Sequence, residues 1–308
     1  GNYTLLEDDS NGSSWSSCWK YNRVIETTYP TMTEPLEVEL QMYIPNRDQL
    51  GDEQVPVVFI LPPVGGVNFL DRQMAETFCS SDMAAIILVN DFANIDSQAS
   101  GELLPPEDHG MALHRTVAGI KATMAMSADD ANINEKKIGL FGASLGGILG
   151  SFVMTTQKDI SAGYFIVAGG DIPNILAYSE QEKVSAIRRK RMKEENIETK
   201  EEYEQYVRNY VLLDPIDLAV TMLPETLHLV ISERDDVVPT SNQFQLYDAF
   251  QEPDATFTNS GHVDTVVESL LFGGQRRKIA RFFSDRFEID NPRPPIFDLL
   301  NSDILYQD

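Results

Sequence analysis

One stretch limits the possible fold and function of this chain more than any other: Lys137-Ile-Gly-Leu-Phe-Gly-Ala-Ser-Leu-Gly-Gly-Ile-Leu-Gly150. A short apolar segment ends in Gly142-Ala-Ser-Leu-Gly146, after which small and apolar residues continue at helical spacing. The pattern Gly-x-Ser-x-Gly between a strand and a helix puts a serine in a sharp turn, with its hydroxyl above the sheet. Glycines on both sides let the strand and helix backbones approach closely. The sequence therefore predicts Ser144 as a nucleophile, which needs a base, an acid and an oxyanion site.

Apolar segments alternate with helical patterns along most of the chain. Val55 to Leu61, Met83 to Val89 and Ser161 to Ala168 are typical of strands that are buried on both faces. Asn90 to Pro106 is typical of an irregular loop, and Ser269 to Phe287 of the last helix. This alternation predicts an α/β fold with a mainly parallel, doubly wound central sheet and helices on both faces. In such a sheet, reacting groups lie beyond the carboxyl ends of the strands.

The same pattern divides the chain into four predicted parts. Residues 1–20 form a polar N-terminal segment, and residues 21–173 and 214–290 form the α/β core. Residues 174–213 have no strand signal and are typical of surface helices, so we expect a small helical cap or lid over the strand ends. The tail of residues 291–308 is proline-rich and then apolar, which favours packing against the core.

The net charge restricts the kinds of partner. The 308 residues carry a formal net charge of −24, which argues against nucleic acid and anionic membranes because both would repel the protein. The chain has no run of 18 or more apolar residues, so the sequence predicts no membrane span. We therefore expect a small-molecule substrate as the partner. The sequence does not indicate an oligomeric state.

Two cysteines, Cys18 and Cys79, are too few for a disulfide framework or a metal site. They can form one bridge or stay unpaired, and the sequence leaves both possibilities open. The chain begins at Gly1 without a methionine, and its opening up to Ser17 is rich in serine and asparagine. This opening favours a periplasmic or secreted location over a cytoplasmic one.

Four histidines are candidates for the base that Ser144 needs. His228 lies within a predicted strand and His114 within a predicted helix, where packing roles are usual. His109 opens that helix and can reach the substrate side. His262 follows the last predicted strand on a loop, where a base for the serine is expected. The sequence predicts His262 as the base, and an exposed loop histidine without a catalytic role is the alternative interpretation.

The acid that orients the base should also follow a strand. Glu233, Asp235 and Asp236 come directly after the predicted strand Leu227 to Ser232. Asp235, four residues before a proline, is the preferred candidate, and Asp236 is the alternative. Asp171, at the end of the preceding strand, is a further candidate.

An oxyanion site requires backbone N–H groups that point at the developing negative charge. One donor is expected from Leu145, the residue after the serine at the start of a helix. The second is expected from the loop after the strand that ends at Leu61. Pro62 and Pro63 have no N–H, so Val64 is the first residue of that loop able to donate.

These residues together resemble the α/β-hydrolase superfamily, from about Tyr21 to Phe287. The resemblance depends on four motifs: Ile60-Leu-Pro-Pro-Val-Gly-Gly66, Gly142-Ala-Ser-Leu-Gly146, Asp235-Asp-Val-Val-Pro239 and Ser260-Gly-His262. Their order, serine then aspartate then histidine, is the one that these enzymes use. The family often has His-Gly where this chain has Pro62-Pro63. The resemblance therefore does not extend to the two residues before Val64, the expected second oxyanion donor.

The resemblance implies that Ser144 attacks a carbonyl, with His262 as the base and Asp235 as the acid, and that neither a metal nor an organic cofactor is required. Hydrolysis of carboxylic esters is the leading hypothesis. A thioesterase, a peptidase and an acyltransferase with the same triad are alternatives. A non-catalytic binding protein on a hydrolase scaffold is an alternative from another functional class.

A basic run, Arg188-Arg-Lys-Arg191, lies in the predicted cap. It can attract an anionic substrate or form a solvated helix face, and the solvated face is the simpler interpretation. The size of the acyl pocket depends on how the cap covers the serine, which periodicity does not predict.

Overall fold

A ten-stranded sheet passes through the part of the protein that the computed structural model describes, residues 3–9, 13–15, 18–28, 34–46, 53–101 and 103–288. The strands in chain order are β1 (Thr4–Asp8), β2 (Ser13–Trp15), β3 (Cys18–Thr27), β4 (Leu36–Pro45), β5 (Val55–Leu61), β6 (Ala84–Leu88), β7 (Ile133–Ala143), β8 (Ile160–Ile166), β9 (Leu227–Ser232) and β10 (Asp254–Thr258).

The strands lie side by side in the order β1-β3-β4-β6-β5-β7-β8-β9-β10, and β2 also pairs with β3. All neighbours from β6 to β10 are parallel. The strands β1, β2, β3 and β4 are joined to the sheet by antiparallel pairs. This mainly parallel sheet confirms the predicted fold class.

Helices fill most of the connections between the strands. They are α1 (Phe69–Cys79), α2 (Ile95–Ser100), α3 (Asp108–Ala128), α4 (Leu145–Thr156), α5 (Ile172–Tyr178), α6 (Glu182–Glu194), α7 (Lys200–Arg208), α8 (Pro215–Leu218), α9 (Thr240–Ala249), α10 (His262–Leu271) and α11 (Gly273–Phe287). The first turn of α7 shows how the sequence sets a boundary, since Thr199 and Glu202 form a capping box there.

Helices cover both faces of the sheet, and each face has its own apolar core. On one face, α3, α4 and α9 contribute Val117, Phe152 and Leu246. On the other face, α1 and α11 contribute Phe78 and Phe283, whose rings meet edge to face at 5.3 Å. Strand β5 lies between these cores and is buried along its whole length, as its unbroken apolar sequence predicts.

The segment of residues 1–20, predicted only to be polar, contributes strands to the N-terminal edge of the sheet. Strands β1 and β2 lie within this segment and pair with β3. The side chains of β1 are exposed along the whole strand, so no apolar alternation marks it in the sequence. A disulfide between Cys18 and Cys79 joins the start of β3 to the end of α1. The two cysteines are therefore paired.

Two helical segments lie where the sequence predicts a loop. Helix α2 forms within residues 90–106, where the Asp91 carboxylate accepts a hydrogen bond from the N–H of Asp96 at 2.8 Å. Helix α10 begins at His262, seven residues before the helix start predicted at Ser269. Short helical segments of this kind contain too few residues for a 3.6-residue period to be distinguished from a loop.

Helices α5, α6 and α7 lie between β8 and β9, in the part of the chain where the cap is predicted. No helix among the described residues is both long enough and apolar enough to cross a membrane. The predicted C-terminal tail of residues 291–308 lies outside the described residues.

Candidate active site

Ser144 lies in the turn between β7 and α4, at the carboxyl end of a central strand. Its backbone has φ 55° and ψ −123°, a region that costs a residue other than glycine roughly 1–3 kcal/mol. The N–H of Ser144 donates to the carbonyl oxygen of Ile166 at 2.9 Å, which joins the turn to β8. Surrounding contacts thus hold the serine in the sharp turn that the glycine pattern predicts.

The two glycines of the motif are required by close backbone contacts. A Cβ atom on Gly146 would lie 1.9 Å from the carbonyl oxygen of Leu61, at the end of β5. A Cβ atom on Gly142 would lie 2.3 Å from the carbonyl oxygen of Gly146. Any side chain at either position would therefore push the helix away from the strands that hold the serine.

The imidazole of His262 lies between Ser144 and Asp235. Its Nε2 atom is 2.9 Å from Ser144 Oγ, and its Nδ1 atom is 2.7 Å from Asp235 Oδ2. With the proton on Nδ1, the ring donates to the carboxylate and can accept the proton of the serine hydroxyl. The structure therefore brings together the three residues that the sequence selected for these roles.

A short, well-anchored turn after β10 carries His262. The hydroxyl of Ser232 at the end of β9 donates to the carbonyl oxygen of Ser260 at 2.7 Å. The N–H of Thr265 donates to the carbonyl oxygen of Gly261 at 2.9 Å, which starts α10. His262 is thus the first residue of a helix, and the structure corrects its predicted position on a loop.

The carboxylate of Asp235 is fully buried and accepts four hydrogen bonds. Its Oδ1 atom accepts from the N–H groups of Val237 and Val238 at 2.8 and 2.9 Å. Its Oδ2 atom accepts from Gln243 Nε2 at 2.8 Å and from His262 Nδ1 at 2.7 Å. Because a buried charge is stable only when it is fully hydrogen-bonded, this environment suits an ionised carboxylate that orients the imidazole.

Gln243 is the residue of this network that the sequence analysis missed. It is fully buried in α9 and joins three groups: it donates to Asp235 and to the carbonyl oxygen of Val238, and it accepts from the N–H of Ser232. One glutamine in a helical segment gives no sequence signal of this role. Its contact with Asp235 arises only when α9 packs beside β9.

The alternative acids lie away from the imidazole. The side chain of Asp236 is exposed, although its backbone carbonyl accepts a hydrogen bond from the N–H of Glu180. Asp171 forms an ion pair with Arg208 at 2.8 Å. Of these acids, Asp235 is the one within hydrogen-bonding distance of His262.

The two predicted oxyanion donors, Val64 and Leu145, line one cavity with Ser144. Leu145 is the first residue of α4, where backbone N–H groups have no partner in their own helix. The loop that carries Val64 turns back on itself, since the N–H of Gly66 donates to the carbonyl oxygen of Pro63 at 3.1 Å. The two N–H groups have no hydrogen-bond partner within the described residues, so both can donate to a ligand.

The cavity beside Ser144 has a volume of about 80 Å³ and is mainly apolar. The loops after β5, β6 and β9, helices α2 to α6 and the loop between α5 and α6 supply its walls. The lining residues include Val64, Ala93, Ile95, His109, Ala112, Leu113, Leu145, Ile148, Leu149, Ile172, Ile175, Leu176, Ser179, Gln181, Val184, Val237 and Val238. An apolar pocket that opens at a buried serine suits the hydrocarbon part of a small acyl group.

The other histidines have different environments. His228 stacks on Tyr164 with ring centroids 4.5 Å apart, and burial lowers its pKa to about 4. His114 is half-buried on α3 and does not line the cavity. His109 does line the cavity, and burial together with the nearby charge of Arg191 lowers its pKa to about 4.

At two of its positions, the basic run of α6 forms neither a solvated helix face nor a site that is open to an anion. Arg188 and Arg191 are 4% and 5% exposed. Arg188 donates to the carbonyl oxygens of Leu176 and Ser179, and Arg191 donates to that of Leu104. These two guanidinium groups join α6 to neighbouring loops, so both interpretations of the run were wrong for them. The spacing of apolar residues in the sequence did not reveal that the side of α6 with Arg188 and Arg191 packs against the protein.

Comparison with solved structures identifies the same fold in other hydrolases. An acetyl xylan esterase from Paenibacillus sp. R4 superposes with a TM-score of 0.65 at 14% identity, covering 92% of this chain and 88% of that chain. Acetyl xylan esterase 1 from Thermoanaerobacterium sp. JW/SL YS485 gives 0.61 at 13% identity, with 92% and 87% covered. The acylaminoacyl peptidase of Pyrococcus horikoshii gives 0.56 at 16% identity, with 89% of this chain but 42% of that chain covered. No curated protein sequence matches the chain.

A family model gives the most direct assignment. The prolyl oligopeptidase family matches residues 115–280, more than half of the 308 residues. The matched part contains Ser144, Asp235 and His262. The chain therefore belongs to the prolyl oligopeptidase family and is a serine hydrolase of the α/β-hydrolase superfamily.

Proposed function

We propose that the protein hydrolyses carboxylic esters with small acyl groups through an acyl-enzyme intermediate. Ser144 is the nucleophile, His262 the general base and Asp235 the acid that orients the base. The observation that carries this proposal is the continuous contact from Asp235 through His262 to Ser144, at the edge of an apolar cavity of about 80 Å³.

The reaction proceeds in two halves. Ser144 Oγ attacks the ester carbonyl carbon while its proton moves to His262 Nε2, and a tetrahedral oxyanion forms. His262 then gives this proton to the departing alcohol oxygen as the carbon–oxygen bond breaks, which leaves the acyl group on the serine. In the second half, water loses a proton to His262 and attacks the acyl carbon. The carboxylic acid leaves, and the proton returns to Ser144.

The backbone N–H groups of Leu145 and Val64 stabilise the oxyanion. Leu145 is at the N-terminus of α4, so the helix dipole also favours negative charge there. Val64 lies on the loop after β5, which leaves the same edge of the sheet as the turn that carries Ser144. The close contact between Gly146 and Leu61 keeps the two loops together. Removal of one such donor lowers kcat by about 10² to 10³ in serine hydrolases.

The cavity size favours short acyl groups. Its volume of about 80 Å³ is far below the roughly 300–1,000 Å³ of pockets that hold drug-sized ligands. An acyl chain of a few carbons fits this space. Two proteins with the same fold are acetyl xylan esterases, which supports ester chemistry on short acyl groups. We further propose that residues 174–213 act as the cap, because Ile175, Leu176 and Val184 supply cavity wall.

Amide hydrolysis is the second candidate function. The matching family is named for an oligopeptidase, and an acylaminoacyl peptidase shares the fold. The same serine, histidine and aspartate can cleave an amide, since only the leaving group differs. The hydrolysis rates of an ester and an amide with the same acyl group therefore distinguish the two functions.

The test combines labelling with matched substrates. A fluorophosphonate probe should label the wild-type protein and leave a Ser144→Ala variant unlabelled. Turnover of p-nitrophenyl acetate, butyrate and octanoate is then compared with turnover of the corresponding p-nitroanilides and of butyryl-CoA. We expect butyrate and acetate esters to give the highest kcat/KM. Faster cleavage of the anilides or of butyryl-CoA would contradict an esterase, and absence of labelling in folded protein would favour a binding protein.

A further inference from the structure

We propose that His109 is a specificity-determining residue in the acyl pocket, where its imidazole hydrogen-bonds a hydroxyl group on the acyl chain of the substrate. The preferred substrates would then be esters of short hydroxy acids. This inference rests on the proposed esterase function and deepens it by naming the substrate class.

The first observation is a buried polar atom without a partner. His109 lines the same cavity as Ser144, near the start of α3. Its Nε2 atom is buried and has no hydrogen-bond partner within the described residues. Because buried polar atoms in proteins are nearly always hydrogen-bonded, an unpartnered nitrogen on a side chain that lines the cavity points to a partner on the ligand.

The second observation concerns the other polar side chains of the cavity. Ser144 is in contact with His262. Ser179 Oγ accepts a hydrogen bond from the N–H of Gln181, and Gln181 Oε1 accepts one from the N–H of Val184. Each of these side chains has at least one hydrogen-bond partner, whereas the imidazole of His109 has none within the described residues. His109 therefore gives the otherwise apolar cavity a free hydrogen-bonding group.

The charge state of His109 favours a hydroxyl as its partner. Burial and the guanidinium of Arg191 lower its pKa to about 4, although the carboxylate of Asp108 opposes this shift. The imidazole is then neutral at pH 7, with one nitrogen that donates and one that accepts. A hydroxyl group can both donate and accept, so it satisfies whichever tautomer is present.

A carboxylate on the acyl chain fits the same position less well. It would lose its hydration in an apolar cavity, which is costly for a charge without a full set of partners. The cation that acts on His109, Arg191, already has other partners, since it donates to the carbonyl oxygen of Leu104 and lies 3.6 Å from a carboxylate oxygen of Glu195. A neutral hydroxyl avoids this desolvation.

The experiment compares two esters in four proteins. Rates are measured for p-nitrophenyl butyrate and p-nitrophenyl 3-hydroxybutyrate with the wild type, His109→Phe, His109→Asn and His114→Phe. His114→Phe is the matched control, because it makes the same change on α3 away from the cavity. Thermal melting of each variant confirms that it is folded, and His109→Leu replaces His109→Phe if the larger ring prevents folding.

We expect the ratio of kcat/KM, hydroxybutyrate over butyrate, to fall about tenfold in His109→Phe, which corresponds to the loss of one hydrogen bond. It should stay within about twofold of wild type in His114→Phe and recover in part in His109→Asn. Butyrate turnover itself should change little in His114→Phe, and the ratio of the two esters removes any general effect that a substitution at His109 has on the pocket. An unchanged ratio in His109→Phe would overturn the hydroxyl assignment.

A third ester separates the charged ligand from the neutral one. If His109→Phe lowers turnover of the p-nitrophenyl hemisuccinate and leaves the hydroxybutyrate ratio unchanged, the pocket recognises a carboxylate and the proposal is wrong. If the wild type cleaves no butyrate ester at all, the esterase function itself fails. That outcome is distinct from cleavage with an unchanged ratio, which refutes His109 alone.

Discussion

The side-chain amide of Gln243 donates a hydrogen bond of 2.8 Å to the Oδ2 atom of Asp235, the same oxygen that faces Nδ1 of His262 at 2.7 Å. Gln243 also holds Val238 and Ser232, at either end of the loop that carries the aspartate. The glutamine therefore fixes both the direction of the carboxylate and the path of its loop. In our account it is a positioning residue, which acts on the reaction only through Asp235.

Replacement of Gln243 by methionine tests this role. Gln243→Met keeps the side-chain length but removes the donor, so we expect kcat for p-nitrophenyl butyrate to fall about tenfold with little change in KM. Gln251→Met makes the same change on the surface and should leave both unchanged. A fall in stability with kcat unchanged would contradict the positioning role.

The choice between two neighbouring acids is tested by a pair of variants. Asp235→Asn should lower kcat roughly 10³-fold or more, because an amide no longer holds the imidazole in the required tautomer. Asp236→Asn should stay within about threefold of wild type, since the side chain of Asp236 is exposed. The kcat of each variant on p-nitrophenyl butyrate gives the comparison. A larger loss at Asp236 would reverse the assignment.

Gly146 should not tolerate a side chain. The Cβ atom of Gly146→Ala would meet the carbonyl oxygen of Leu61 at 1.9 Å, so we expect a loss of about 1–3 kcal/mol in unfolding free energy, typical of overpacking. Gly274→Ala is the matched control, at the second residue of α11, where the nearest atom to the new Cβ lies 3.9 Å away. Urea unfolding should separate the two variants, and equal stability for both would contradict the close contact.

His228 should make the fold less stable in acid. Its pKa is about 4 in the folded protein, because burial disfavours the charged form, against an ordinary value of 6.5. Between these values the unfolded chain binds a proton that the folded chain does not, so the free energy of unfolding falls as the pH falls from 6.5 towards 4. The contribution of His228 to the free energy of unfolding is present above pH 6.5, the ordinary pKa of the unfolded chain, and is lost below it.

The variant His228→Phe keeps an aromatic ring against Tyr164 and removes the titrating group. Between pH 7 and pH 5, the decrease in unfolding free energy should be smaller in the variant than in wild type by about 1–2 kcal/mol. Urea midpoints at the two pH values provide the measurement. The same decrease in both proteins would show that His228 does not contribute to acid sensitivity.

The parts of the site that the sequence predicts are those encoded by local patterns. Ser144 is marked by glycines whose spacing reflects a tight strand-to-helix turn, and His262 by its position directly after a strand. The fold class follows from apolar runs such as β5, which are buried because helices cover both faces. These signals depend on residues close together in the chain, so a single sequence reveals them.

The parts that the sequence does not predict depend on contacts between distant residues. Gln243 reaches Asp235 only because α9 packs beside β9, and Cys18 meets Cys79 across 61 residues. His109 lines the same cavity as Ser144 because the first turns of α3 pack beside the start of α4. Such relationships follow from the packing of whole elements, which periodicity does not specify.

The most direct test of the account is the kcat/KM of Ser144→Ala for p-nitrophenyl butyrate, measured beside wild type on protein shown to be folded by its thermal melt. The Oγ atom of Ser144 lies 2.9 Å from His262 Nε2, and the account requires it to form the bond to the acyl carbon. We predict a decrease of roughly 10⁴-fold or more with an unchanged melting temperature. Retention of more than about a tenth of the wild-type value would contradict the central claim.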